Sequence, residues 1–388
     1  MVHRRAVPFN RAFTTGAELR YIESAIRSTQ LSGNGPFSAR CSDWLQARTG
    51  SKRALMTHSC TGALEMAAIL ADIAPGDEVV MPSFTFVSTA NAVVARGGIP
   101  VFVDVRSDTL NLDERKVEAA LSDRTKAIVA VHYAGVACEM DMINEFARAR
   151  RLTVVEDAAQ GVLATYRGRP LGSIGDLGAL SFHETKNVMC GEGGALLVNR
   201  DEWIDRAEVV HEKGTDRRRF FRGMTDKYTW QDVGSSFPMS DLTAAFLWAQ
   251  FENAELITQL RLEVWAAYHE GLKHLEERER LRRPIVPAWC KHNAHLYYVL
   301  LPPASDRDAV LATLNEEGVN AVFHYVPLHS APAGVRFGRS SGLMKTTDEI
   351  SARLIRLPLW AGMSAADVEH VLETVEHALW RRPSRMAQ

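Results

Sequence analysis

Along most of the chain, apolar residues gather in short β-rich runs that alternate with stretches of helical spacing. Runs at Arg53 to Thr57, Glu78 to Met81, Pro100 to Val103, Ala127 to His132, Thr153 to Glu156, Gly178 to Phe182 and Ala195 to Val198 are predicted as strands. Helical patterns separate most of them. In the clearest, Thr61 to Asp72, the positions Leu64, Ala67, Ala68 and Ala71 recur at helical spacing, and the pattern stops before Pro75-Gly76-Asp77. Alternation of this kind calls for an α/β fold, a mainly parallel sheet with helices on both faces. The last two runs have only a polar loop between them, so that pair is expected to be antiparallel. Ahead of the sheet, one helix is predicted over Gly16 to Thr29, closed by the Gly33-Asn34-Gly35-Pro36 turn, and a second from Ser38 to about Thr49.

From Ser240 the pattern changes. Long helical stretches at Asp241 to Asn253 and Ile257 to Arg278 lead to a strand-like run at His295 to Leu300. A helix at Asp306 to Glu317, a β-like run at Ala321 to Tyr325 and a closing helix at Ala365 to Leu379 follow. Two domains are expected. Residues 1–250 carry an N-terminal arm and the large α/β domain, and residues 251–388 a smaller α+β domain.

Composition narrows the function classes. The 388 residues are 46% apolar and 24% charged with a net charge of -2, ordinary for a soluble globular protein. Neither nucleic acid nor a membrane is expected as a partner, although the run Arg217-Arg218-Arg219 suits a phosphorylated small molecule. No apolar run reaches transmembrane length, and Met1 to Pro8 lacks the apolar core of a secretion signal, so a cytoplasmic location is expected. The five cysteines form no close C-x-x-C pair, and neither a disulfide framework nor a metal site is indicated.

The chemistry gathers at predicted strand ends. The loop Ser181-Phe182-His183-Glu184-Thr185-Lys186-Asn187 runs on to a Gly191-Glu192-Gly193-Gly194 turn. A lysine amine becomes a nucleophile toward carbonyls when its surroundings disfavour the ammonium form, and the plain alternative is a solvated lysine in a glycine turn. Asp157 follows the buried run Thr153 to Glu156, where open α/β sheets place their active sites, and a helix N-cap is an equal reading. In Ser59-Cys60-Thr61-Gly62, after a strand and opening a helix, backbone N–H groups and the Thr61 hydroxyl suit an anion, and Ser181 can add a second hydroxyl. Phe84 and Phe86 follow another strand, and periodicity does not choose which of them faces a cavity.

These segments resemble the DegT/DnrJ/EryC1/StrS family, sugar aminotransferases that use pyridoxal phosphate, over a span from about Pro8 to Trp360. The resemblance implies the aspartate aminotransferase-like fold of type I pyridoxal phosphate enzymes, with seven strands in the large domain. It makes Lys186 the Schiff-base lysine and Asp157 the partner of the pyridine nitrogen. Gln160 then bonds the phenolic oxygen, Phe86 stacks on the ring, and Thr61, Gly62 and Ser181 hold the phosphate. In Gly234-Ser235-Ser236-Phe237-Pro238-Met239, Ser236 stands where many members carry an asparagine that reaches the cofactor phosphate of a neighbouring subunit, which implies a homodimer. The segment from His211 through Trp230 to Gly234-Ser235-Ser236 looks like the branch that aminates C-4 of dTDP-4-keto-6-deoxyglucose or a related keto-hexose or keto-pentose. Abundant arginine hints at an antibiotic deoxysugar setting. His183, Lys213, Arg222, Tyr325 and His329 are candidate substrate contacts, and for Lys213 and Arg222 a solvated charged loop is the competing reading. Glutamate is the implied amino donor, with pyridoxamine phosphate between the half-reactions. The rivals are the dehydratase branch of the family, which typically has histidine in place of Lys186, and a protein that binds the cofactor or a nucleotide sugar without turnover.

Overall fold

The computed structural model describes residues 5–303 and 305–380; residues 1–4 of the segment read for a secretion signal, and the last eight of the expected small domain, lie outside them. The predicted runs form strands β1 (Arg53–Thr57), β2 (Glu78–Pro82), β3 (Ile99–Val103), β4 (Thr125–Val131), β5 (Thr153–Asp157), β6 (Leu177–Ser181) and β7 (Gly194–Val198). An eighth strand, β8 (Arg339–Ser340), joins the edge from far downstream, and the order across the sheet is β1-β7-β6-β5-β4-β2-β3-β8. The expected seven strands are all present; two residues are too few to give β8 a hydrophobic period. Only β7 runs against its neighbours, pairing Gly194 with both Ser181 and Thr57. The carboxyl ends of β1, β2, β4, β5 and β6 therefore open on one edge of the sheet.

Alternate side chains of each strand build the two faces. Met56, Val80, Val101, Ile128, Val154 and Leu180 pack with the helices Pro36–Thr49, Met140–Arg150 and Asp241–Glu252. Leu55, Val79, Met81, Phe102, Val129, Val155 and Ala179 pack with the helices Cys60–Leu70 and Val87–Val94. Burial on both faces explains why these strands read as nearly continuous apolar runs.

A third core joins Val7 to residues from 264 onward, among them Tyr268, Tyr297, Val299, Ile355, Trp360 and Val371. It surrounds the antiparallel ladder Tyr297–Leu300 with Leu354–Leu357. Two expectations change here. The run Ala321 to Tyr325 is not a strand: Val322 alone bridges to Arg356, and the chain then turns through Tyr325 at φ +44°, leaving the ladder edge. The segment Leu354–Leu357 takes its place. The helix predicted over Ile257 to Arg278 is two helices, Ala254–Gly271 and Lys273–Glu277, broken at Leu272.

Candidate active site

A cavity of about 620 Å³ lies at the carboxyl ends of the strands, lined by groups from residue 9 to residue 356. Asp157 is the last residue of β5, and its chain continues into a turn instead of a helix, so the N-cap reading falls. Its carboxylate is only 5% exposed. Thr89 donates to its Oδ2 at 2.7 Å and the Ala159 N–H to its Oδ1 at 3.2 Å, so both oxygens are fixed.

Lys186 sits in a hairpin that β6 and β7 close by register. Phe182 N–H donates to Gly193 O at 2.8 Å, Glu184 N–H to Gly191 O at 2.8 Å and Lys186 N–H to His183 O at 2.9 Å. Asn187 anchors the next position through Nδ2 to Asn293 O at 2.7 Å. Since that nitrogen is the donor, Asn187 Oδ1 accepts from His295 Nδ1 at 3.0 Å. Burial first, then the nearby cations Lys186, Arg261 and Arg356, hold His295 well below 6.5, so the ring is neutral with its proton on Nδ1. Burial pulls the Lys186 ammonium below 10.5 as well; Cys60 and Asp157 oppose that shift and Arg356 adds to it.

Ser59 caps the helix Cys60–Leu70, whose N-terminus faces the cavity. The cap takes the Gly62 N–H at 3.0 Å, so that donor is not available to an anion. Gly62 is glycine for a packing reason: a Cβ there would lie 2.9 Å from His58 Cε1. Thr61 does face the cavity, its hydroxyl 2.8 Å from that of Ser88, and Ser181 lines the same wall. Gly194 crosses behind this cup so closely that a Cβ would stand 2.4 Å from Cys60 N.

The choice between the two phenylalanines is settled by burial: Phe84 is 1% exposed in a core with Tyr133 and Leu296, and Phe86 is 57% exposed and lines the cavity. Gln160 Oε1 accepts from Ala134 N–H at 2.7 Å, leaving Nε2 to donate to Tyr325 Oη at 3.2 Å. His183 and Tyr325 also line the cavity.

Four expected residues are elsewhere. Lys213, Arg222 and Ser236 line a second cavity of about 630 Å³. There Arg222 donates to the buried Glu208 at 2.7 Å, beside Arg53 at 3.0 Å and Arg218 at 3.2 Å. His329 lines neither cavity; it bonds Ser83 Oγ at 2.8 Å and approaches Asp348 at 3.3 Å, cross-linking segments distant in sequence. Conversely, Ser88, Thr89, His295 and Arg356 were not foreseen, because each belongs to an element whose own pattern carries no sign of the cavity. The Ser88 and Thr89 positions, directly after Phe86, were the most accessible to reasoning.

A family model for DegT/DnrJ/EryC1/StrS aminotransferases matches residues 14–376. The chain belongs to this family. GDP-perosamine synthase of Caulobacter vibrioides is 33% identical over 368 residues, 94% of this chain and 96% of that protein. The spore coat polysaccharide biosynthesis protein SpsC of Bacillus subtilis is 33% identical over 385 residues, 97% and 98% of the two chains. Among solved structures, the aminotransferase TlmJ from Streptoalloteichus hindustanus superposes with a TM-score of 0.89 at 30% identity, covering 97% of this chain and 100% of that one. The chain is thus a pyridoxal phosphate-dependent sugar aminotransferase of the corresponding α/β fold. Its residues fit that cofactor. A fixed carboxylate, a buried amine, an exposed ring face and a cup of Thr61, Ser88 and Ser181 hydroxyls at a helix N-terminus surround one space. No helix among the described residues is long and apolar enough to cross a membrane.

Proposed function

We propose that this aminotransferase moves the amino group of L-glutamate to C-4 of a dTDP-linked 4-keto sugar, dTDP-4-keto-6-deoxyglucose or a related keto-hexose or keto-pentose. The observation that carries the chemistry is the meeting of Lys186 and Asp157 in one cavity, the amine desolvated and the carboxylate held on both oxygens. When bound, pyridoxal phosphate supplies the electron sink and carries the amino group. Asp157 offers a carboxylate that needs no reorganisation to accept a hydrogen bond from the protonated pyridine nitrogen and so keep it protonated, and Gln160 Nε2, with one N–H on Tyr325, has its second for the phenolic oxygen. Phe86 gives the ring a flat apolar face. The hydroxyls of Thr61, Ser88 and Ser181 would hold the phosphate. Lys186 Nζ, whose ammonium form burial disfavours, takes a proton from the donor carbon and later delivers one to C-4 of the sugar.

Residues 1–250 then form the domain that holds the cofactor, and residues 251–388 the smaller domain that brings Tyr325 to the cavity. The dTDP assignment draws support from the likeness of the His211 to Ser236 segment to the C-4 branch. In the same reading the protein is a homodimer, and the second cavity, with Ser236, Lys213 and Arg222, completes the partner's site and meets the sugar nucleotide.

The test mixes the purified protein with pyridoxal phosphate and L-glutamate, follows the cofactor absorbance, then adds dTDP-4-keto-6-deoxyglucose and weighs the product. Glutamate should remove the absorbance band, the keto sugar should restore it, and an amino sugar should appear. Amination of a GDP-linked 4-keto sugar alone, as the likeness to GDP-perosamine synthase allows, would overturn the dTDP assignment. A protein that binds the cofactor and forms no amine from any keto sugar would overturn the substrate reading altogether.

A further inference from the structure

Two arms of contact reach Tyr325 from a single turn, Tyr133-Ala134-Gly135, just after β4. The first arm is backbone: Ala134 N–H holds Gln160 Oε1 at 2.7 Å, and Gln160 Nε2 donates to Tyr325 Oη at 3.2 Å. The second is a pair of side chains. Tyr133 Oη lies 2.8 Å from His324 Nδ1, and the His324 ring lies on that of Tyr325 with centroids 3.6 Å and planes 29° apart. Tyr133 is fully buried in a core with Phe84 and Leu296, and its hydroxyl meets no other hydrogen-bond partner among the described residues.

A buried hydroxyl that gave up its one acceptor would leave its hydrogen unpaired, so Tyr133 donates and His324 accepts. Both groups are in the form this needs. Burial pushes the Tyr133 hydroxyl well above 10, and burial, then Arg356 and Lys186, hold His324 well below 6.5. Those two cations, with Asp157 and Tyr298, are the titratable groups that face this cluster of rings.

The backbone explains why a second arm is needed. Tyr325 stands at φ +44° and Ala134 at φ +59°, left-handed conformations that residues with side chains keep only where their surroundings over-determine them. Stacked His324 and edge-on Phe84, 5.4 Å away at 76°, clamp the Tyr325 ring. Released from that clamp, the hydroxyl would leave Gln160, and the amide would be tied by its oxygen alone.

We propose that Tyr133 and His324 are positioning residues that clamp Tyr325, hold Gln160 Nε2 on the phenolic oxygen of bound pyridoxal phosphate, and so set how readily Lys186 Nζ, once joined to the cofactor, takes a proton. A hydrogen bond donated to the phenolic oxygen draws off negative charge that otherwise favours a proton on that nitrogen, so a well-aimed Gln160 lowers the pH at which it titrates.

The inference rests on the reading of Lys186 and Gln160 given above, and the experiment separates the two. Tyr133→Phe removes one oxygen, and His324→Phe keeps a flat ring on Tyr325 without the acceptor. These variants break the same bond from opposite ends, so a folding failure in one leaves the other to decide. With wild type, Gln160→Leu and the double variant Tyr133→Phe/Gln160→Leu, they are loaded with pyridoxal phosphate, and the visible band of the bound cofactor is titrated with pH. Cofactor bound at wild-type stoichiometry reports a folded protein. Tyr133→Phe and His324→Phe should each raise the midpoint by about 0.4–1 unit, the equivalent of one neutral hydrogen bond, and Gln160→Leu by at least as much. The double variant should match Gln160→Leu, since the clamp acts only through that amide. A midpoint unmoved by breaking the Tyr133–His324 bond while Gln160→Leu raises it, or a further shift in the double variant, would overturn the inference alone. No shift in Gln160→Leu would overturn the role given to Gln160 and the inference with it, and wild-type protein that forms no band would overturn the reading of Lys186 as well.

Discussion

A lysine reacts with a carbonyl only as the free amine, and the surroundings of residue 186 favour that form. The side chain lies against the cavity wall and its backbone is tied to His183 and, through Asn187, to Asn293 and His295. Lys186→Ala should therefore lower kcat by about 10² to 10⁴-fold or more, the usual contribution of a positioned proton-transfer group, with the unfolding midpoint nearly unchanged. Amino sugar formed at the wild-type rate would sink the assignment. Asp157 depends on Thr89 in a comparable way, since that hydroxyl is its only side-chain donor within the described residues. Thr89→Val, which keeps the shape and removes the donor, should weaken pyridoxal phosphate binding several-fold, roughly the worth of one hydrogen bond to a charged group. A titration of cofactor absorbance checks this, and an unchanged affinity would leave Thr89 a packing residue.

At the scale of the element, the β6–β7 hairpin is where chain pattern and site chemistry meet. Its antiparallel pairing was legible because no crossover helix fits between Ser181 and Gly194. Its tightness was not. Gly194 passes against the Ser59–Cys60 peptide, and nothing in the sequence marks that contact. Gly194→Ala must push the hairpin and the Ser59–Cys60 turn apart, since a Cβ there meets backbone instead of a flexible side chain. We expect destabilisation of about 1–3 kcal/mol with weaker cofactor retention; urea unfolding and cofactor content after gel filtration measure both. Gly191 at φ +82° has open space around it, so substitution there costs backbone strain alone and should leave the cup intact.

For the whole molecule, the sheet edge ties the late part of the chain to the early part. Glu78, at the start of β2, accepts from Ser122 at 2.7 Å, Arg124 at 2.6 Å and Arg339 of β8 at 2.6 Å. Arg339 above all holds the carboxylate down to about 2, against an ordinary 4.5. Its contribution is thus complete above about pH 4.5 and disappears as pH falls toward 2. Glu78→Gln should cost about 1–3 kcal/mol at pH 7, with the difference from wild type shrinking below pH 4 in urea titrations. Two histidines, the buried His211 and the half-buried His292, act at higher pH. Burial pushes His211 down to about 3 and His292 to about 4, so the folded state keeps them neutral while the unfolded chain protonates near 6.5. Stability is full above that value and falls as acid is added, and Tm should drop between pH 7 and 5, before most carboxylates titrate. A flat Tm over that window would contradict the neutral state of both rings.

The sequence by itself determined the parallel sheet, the lysine hairpin and the aspartate at a strand end, because these rest on local periods and on a compact run of residues around Lys186. It also carried the family likeness that the family match bears out. Tertiary structure alone decided that Ser59 takes the Gly62 N–H and that His329 is a cross-link outside the cavity, and it placed Phe86 on the cavity, which local period left open and the family likeness had chosen. It alone brought Phe9, His295 and Arg356 to the cavity of the lysine, and Thr89 to Asp157. Those residues come from segments that local pattern treats as unrelated, and only the folding of those segments onto one edge of the sheet makes them neighbours.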